Sequence, residues 1–165
     1  MNNYSIEQTA NSKLLAEYLG WKYIGYSNSL PKDFFAGWYC QVFKPLDMEL
    51  WKVLPKSGFK KLPDSSYGKY VCRNHAGLDF RCNYNRLFEV IEKLEKEDLS
   101  EYFDDDNFEG IEISRFTNDW SAFINLKYDP PLWLTEQNKS EVKEVEQLFL
   151  AVLSAVKYIN DLRNG

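Results

Sequence analysis

Cys72 and His75 stand three positions apart, the spacing of a zinc-ligand pair, and Cys40 and Cys82 are the remaining cysteines of the chain. A structural zinc site takes four tetrahedral Cys or His donors, usually as two such pairs. The second pair is missing, because Cys40 and Cys82 are isolated, so the cysteines read as small buried hydrophobes. A cysteine nucleophile with histidine as its base is the other chemistry these residue types allow. His75 is the only histidine in the sequence, so every such mechanism passes through it. No third orienting group or oxyanion element is recognisable beside it.

Two further constellations carry charge. Seven acids and no base lie between Asp98 and Glu112, with Asp104-Asp105-Asp106 at the centre. An EF-hand loop starting at Asp104 fails at its fifth and sixth positions, which are Phe108 and Glu109 where a ligand and a glycine are needed. A solvated acidic loop is the plain reading, and an acidic surface that imitates a nucleic acid is the alternative. Residues 21–72 are the opposite case. Rings crowd this segment, and eight lysines against four acids give it a net charge of +4, which leaves −9 for the rest of the chain. Aromatic planes interleaved with cations stack bases or sugars and hold phosphates, or form a protein-binding patch. The structural alternative is a second core layer with a lysine rim. Trp51, Arg73, His75 and Arg81 are the members least explained by burial, and they form the candidate ligand-binding set. They bracket the strand-to-helix passage before Asn83, where a helix start offers free backbone N–H groups to an anion. No glycine-rich phosphate loop, nucleophile elbow, His-Glu-x-x-His or kinase signature is present, so no catalytic residue, metal or cofactor is assigned.

The bulk properties narrow the class of protein. At 165 residues a single domain, 1–165, is expected, with an aromatic and proline-rich insertion at about 25–68. A hydrophobic fraction of 44% and an aromatic fraction of 16% exclude disorder over most of the length. The net charge of −5 argues against general affinity for nucleic acids or anionic membranes. No apolar run reaches the length of a membrane span, and the first residues lack a secretory pattern. Three widely spaced cysteines fit a reduced, cytoplasmic setting better than a disulfide framework.

These residues need elements to position them. Ser5 to Leu19 reads as a helix, with Ser5 and Gln8 as a capping box, an apolar stripe through Ala10, Leu14, Leu15, Tyr18 and Leu19, and Gly20 as its end. Trp38–Phe43 and Lys69–Arg73 are strand candidates. A second helix starts at Asn83 or Asn85 and runs to about Glu97, with Tyr84, Leu87, Phe88, Ile91 and Leu94 as its buried face. A hairpin follows around Asn118-Asp119, pairing strands 111–117 and 120–127. In that register Ile113 faces Ile124, Ile111 faces Leu126 and Arg115 faces Ala122, with Phe116 and Phe123 on the opposite face. Pro130-Pro131 stops the second strand. Asn138 and Glu141 form another capping box, and a last helix runs to about Arg163 with Val142, Val145, Phe149, Val152, Val156 and Ile159 inward. The expected class is therefore α+β, an antiparallel sheet with helices packed on its faces.

Three stretches also carry a family resemblance: Asn11–Trp21, then Tyr70–His75 leading through Asn83–Lys93, and Glu144–Asn160. They resemble the phage ABA-sandwich domain family of uncharacterised phage and mobile-element proteins. Members often show an Asp-Trp pair at the second helix start, where this chain has Asn83-Tyr84; asparagine still caps a helix. The resemblance implies an alpha-beta-alpha sandwich and a phage or prophage origin, and it supplies no catalytic residues. Together these readings point to a non-enzymatic accessory protein of the host cytoplasm that binds a host protein or a small anionic ligand. A nucleotide-acting enzyme with its site near His75 and Arg73, and a structural oligomer module, are the alternatives.

Overall fold

The computed structural model describes residues 6–25, 36–43, 59–61, 67–116, 119–135 and 143–165. It is an α+β protein, as expected, and it divides into two compact units at Asp79 and Phe80. The first contains helix α1 (Ile6–Tyr18), strands β1 (Lys22–Ile24), β2 (Gly37–Phe43), β3 (Phe59–Lys61) and β4 (Tyr67–Cys72), and a 3-10 turn at His75–Leu78. Its strands make an antiparallel sheet in the order β1-β2-β4-β3. The second contains α2 (Tyr84–Leu94), two 3-10 turns, strands β5 (Phe108–Phe116), β6 (Asp119–Leu126) and β7 (Leu132–Trp133), and helix α3 (Glu144–Asn164). Its sheet is antiparallel in the order β5-β6-β7.

In the first unit α1 ends as a glycine-terminated helix should. Gly20 adopts φ +80°, a left-handed conformation that costs glycine nothing. Its N–H donates to the Glu17 carbonyl at 2.8 Å, and the Trp21 N–H donates to Ala16 at 2.9 Å. These are the two bonds of a Schellman cap, and they turn the chain directly into β1. The buried face of α1 is Ser12, Leu15, Ala16 and Tyr18, while Ala10 is exposed and Leu14 half-buried. Two of these four are small, which suits close approach to the 3-10 turn on which α1 packs. The Ser5 half of the expected capping box lies outside the described residues. Strand β2 is covered on both faces: Trp38 and Tyr39 are adjacent, point to opposite sides, and are each 1% exposed.

In the second unit Asn83 caps α2, its Oδ1 accepting the Arg86 N–H at 3.3 Å. Leu87, Val90, Ile91 and Leu94 form the buried face. Tyr84 and Phe88, expected inside, are instead 39% and 46% exposed and stack on one another with ring centroids 6.3 Å apart. Four residues apart on a helix, they shield each other's faces without joining the core. The acidic stretch forms 3-10 turns at Ser100–Tyr102 and Asp104–Asp106. Helix α3 packs on β6 and α2, burying Phe149, Val152, Val156 and Ile159. Asn138, Glu141 and Val142 lie outside the described residues.

The hairpin forms, in a register two residues from the expected one. Ile111 pairs with Ile124, Ile113 with Ala122, Arg115 with Trp120, and Phe116 with Asp119. Asp119 is therefore strand rather than turn. A shift of two preserves the side on which every residue falls, so burial alone does not distinguish the two registers. Ile111, Ile113, Ala122 and Ile124 are buried on one face. On the other, Phe116 and Phe123 meet at 5.6 Å and both touch Trp133. The pairing with β7 continues past its end, since the Leu134 N–H donates to the Ala122 carbonyl at 2.9 Å.

Candidate functional site

The first unit holds an open cleft of about 490 Å³, lined by Lys13, Glu17, Trp21, Lys22, Tyr23, Trp38 and His75. Each lining residue is placed by a local feature already described. Lys13 and Glu17 lie one turn apart toward the C-terminal end of α1. The Schellman cap then delivers Trp21, and β1 supplies Lys22 and Tyr23. Trp38 sits on β2 directly opposite Tyr23, and across β4 it pairs with Cys72. The ladder shifts by one residue between the Trp38–Cys72 and Tyr39–Tyr70 pairs, so Val71 is the extra residue of a bulge. Such a bulge re-aims the residues that leave the strand, here the turn that carries His75.

That turn is tightly held. Asn74 caps it, with Oδ1 accepting the Gly77 N–H at 2.9 Å, and Asp79 closes it in the left-handed region at φ 44°. A methyl group on Gly77 would lie 3.0 Å from the Cys72 Cβ, so only glycine fits without displacement. The result is an aromatic trio. Tyr23 and His75 have centroids 4.9 Å apart, Trp38 and His75 5.7 Å, and Tyr23 and Trp38 5.8 Å. Within it the Trp38 Nε1–H donates to His75 Nδ1 at 3.0 Å. An imidazole nitrogen that accepts a hydrogen bond carries no proton, so the neutral ring bears its proton on Nε2. His75 therefore keeps its Nδ1 lone pair against Trp38 and, as a neutral ring, has its N–H at Nε2.

Of the residues singled out from sequence, His75 lies in this cleft. Arg73 is exposed in the bend just before the turn. Arg81 belongs to the second unit, where its guanidinium forms an ion pair with Glu146 at the start of α3. Trp51 lies outside the described residues. Cys72 and His75, the zinc-like pair, are otherwise engaged: the Cys72 thiol donates to the Asn74 carbonyl at 3.3 Å, and His75 Nδ1 accepts from Trp38. Among the described residues no group of three or more His, Cys, Asp or Glu side chains gathers to hold a metal ion. Nor is any helix among them long and apolar enough to cross a membrane.

Sequence reasoning missed Lys13, Glu17, Lys22, Tyr23 and Trp38 as site residues. One signal was available: a Lys-x3-Glu pair ending a helix, then Gly20 and the run Trp21-Lys22-Tyr23. The Trp38–His75 bond spans 37 residues and leaves no local trace.

Compared with family models, with curated proteins and with solved structures, the chain matches none.

Proposed function

We propose that this chain is a phage or prophage accessory protein, acting in the host cytoplasm, whose first unit is a non-catalytic binding module for a small anionic ligand. The phage origin rests on the sequence resemblance alone. The binding reading rests chiefly on one observation, the hydrogen bond from Trp38 to His75. A general base must present a lone pair to its substrate. Here the lone pair of the neutral ring is occupied by Trp38, which leaves the imidazole an N–H and favours holding an acceptor over removing a proton. Lys13 lines the same cleft and supplies attraction for a negative charge. The nucleotide-acting enzyme remains the competing reading, since His75 is the one histidine it could use.

Thermal-shift and calorimetric screening of the whole protein against small carboxylates, phosphates and nucleotides tests the proposal. A ligand present at a hundredfold excess over its Kd stabilises the folded state by about 2.7 kcal/mol, a shift that is easily measured. Binding without turnover supports the proposal. Failure of every anion to raise the melting temperature overturns it, and so does turnover of a bound nucleotide that disappears in His75→Ala while the melting temperature is kept.

A further inference from the structure

We infer that the open edge of β5 is a docking edge for an extended segment of another protein, rich in lysine or arginine, which joins the β5-β6-β7 sheet as an added strand. The inference concerns the second unit and stands apart from the cleft described above.

The two edges of this sheet are built differently. Strand β7 is two residues long and follows Pro130-Pro131. Shortness and proline are among the devices that keep a sheet edge from pairing with foreign chains. Strand β5 is nine residues long, holds neither proline nor lysine, and among the described residues pairs with β6 alone. The direction of its backbone groups follows from β6. In an antiparallel pair, residues that exchange N–H···O bonds with the partner alternate with residues that turn both groups away from it. The Ala122 carbonyl accepts from the Leu134 N–H at 2.9 Å, and the Ala122 N–H donates to Thr135 Oγ1 at 3.3 Å. Both groups are thus engaged on the β7 side, so Ala122 and its partner Ile113 form a pair without hydrogen bonds between them. Ile113 accordingly turns its own N–H and C=O away from β6, toward the open edge. By alternation Ile111 and Arg115 do the same. The side chains of Ile111 and Ile113 are buried, which holds this row of donors and acceptors in the extended form that an incoming strand needs.

Charge selects the occupant. Glu109 and Glu112 are exposed on β5, and Glu101, Asp104 and Asp106 are exposed in the turns before it. The Glu112 carboxylate accepts from the neutral Asn125 amide at 2.9 Å, a bond that does not offset its charge. Arg115, the one base of the strand, is ion-paired with Glu144 at 3.0 Å. Over residues 80–165 eighteen acids stand against ten bases, a net charge of −8. A second copy of the chain would lay these acids against themselves, whereas a basic strand would set its cations beside Glu109 and Glu112.

The test uses the intact protein and two synthetic peptides of about six residues, a common strand length. One alternates lysine with valine, the other glutamate with valine. Amide hydrogen exchange followed by NMR locates the edge. In the free protein the amides of Ile111, Ile113 and Arg115 should exchange faster than those of Glu112 and Ser114, which are bonded to β6. The lysine peptide should slow the first three by about tenfold or more. By fluorescence anisotropy it should bind about tenfold or more tightly than the glutamate peptide, a difference that shrinks as salt is added. Arg115→Pro removes one outward N–H and leaves the ladder to β6 intact, so the sheet should persist. Affinity for the lysine peptide should then fall by about tenfold or more, although the edge has become more negative. Should that variant fail to fold, Glu109→Lys combined with Glu112→Lys leaves the backbone unaltered and should reverse the preference between the peptides. Outward amides that exchange as slowly as Glu112 and Ser114 in the free protein overturn the inference. So does equal or absent binding of the two peptides, or protection by the lysine peptide at other amides. Protection that rises with protein concentration alone also overturns it, because it assigns the edge to a second copy.

Discussion

Replacing Gly77 with alanine is the smallest change that tests how the site is built. It adds one methyl group to the turn carrying His75. Gly77 is outside the left-handed region, so alanine meets no backbone penalty there, and the effect is one of space. The added Cβ would sit 3.0 Å from Cys72 Cβ, 3.3 Å from Asn74 Oδ1 and 3.5 Å from Cys72 Sγ. Carbon atoms pack best at about 3.5–4.0 Å, so the first contact is at least half an ångström too close. The second falls on the oxygen that caps the turn. Overpacking of this kind costs about 1–3 kcal/mol. The matched control is Gly25→Ala, where no described atom lies within 4 Å of the new methyl. That substitution restricts the unfolded chain alone and should be neutral or stabilise by up to about 1 kcal/mol. Urea unfolding of the two variants measures the difference directly. Because the closest approach is Cβ to Cβ, adding Cys72→Ala should leave most of the penalty of Gly77→Ala in place. A Gly77→Ala protein as stable as the Gly25→Ala protein, or one fully rescued by Cys72→Ala, would refute the packing described for this turn.

Two other outcomes follow from burial elsewhere in the chain. Ile159 is fully buried on α3, so Ile159→Ala should cost about 2–5 kcal/mol in denaturant unfolding, whereas Ile6→Ala, at a position 92% exposed, should stay within about 0.5 kcal/mol. Burial raises the pKa of the Tyr158 phenol above its ordinary value of 10.0. In the unfolded chain this group loses its proton first as pH rises, so the unfolded state binds fewer protons and stability falls from the ordinary value up through the raised folded one. Unfolding measured across the alkaline range should show that part of the decline vanish in Tyr158→Phe; an unchanged pH slope would exclude Tyr158 as its source.

The elements that could be read from the sequence are those whose signal is local. Alternation along 111–126 places the hairpin faces correctly, and Asn83 declares the start of α2 through its capping side chain. Gly20 announces the end of α1 in the same way. Register was not legible, because a two-residue shift leaves the burial pattern untouched. The outward placement of Tyr84 and Phe88 was not legible either, since helical spacing is equally satisfied by a solvent-facing ring pair. Strand β2 hides its alternation because both of its faces are covered, which blurs the boundary between one sheet and two. For the site, a lone histidine draws notice by its rarity. Its indole partner is far away in the sequence, and the lysines that flank it resemble any other surface lysines until the fold brings them to one cleft.

The parity of the β5–β6 ribbon also governs how its length can vary. Deleting one residue from an arm inverts everything beyond the deletion, turning Ile111 and Ile113 outward and offering Glu112 to the core face. Removing two restores the sides. Viable insertions and truncations within these arms should therefore come in even numbers, except at the Phe108–Gly110 irregularity, where Glu109 is already a supernumerary residue and the ladder has somewhere to absorb an odd one.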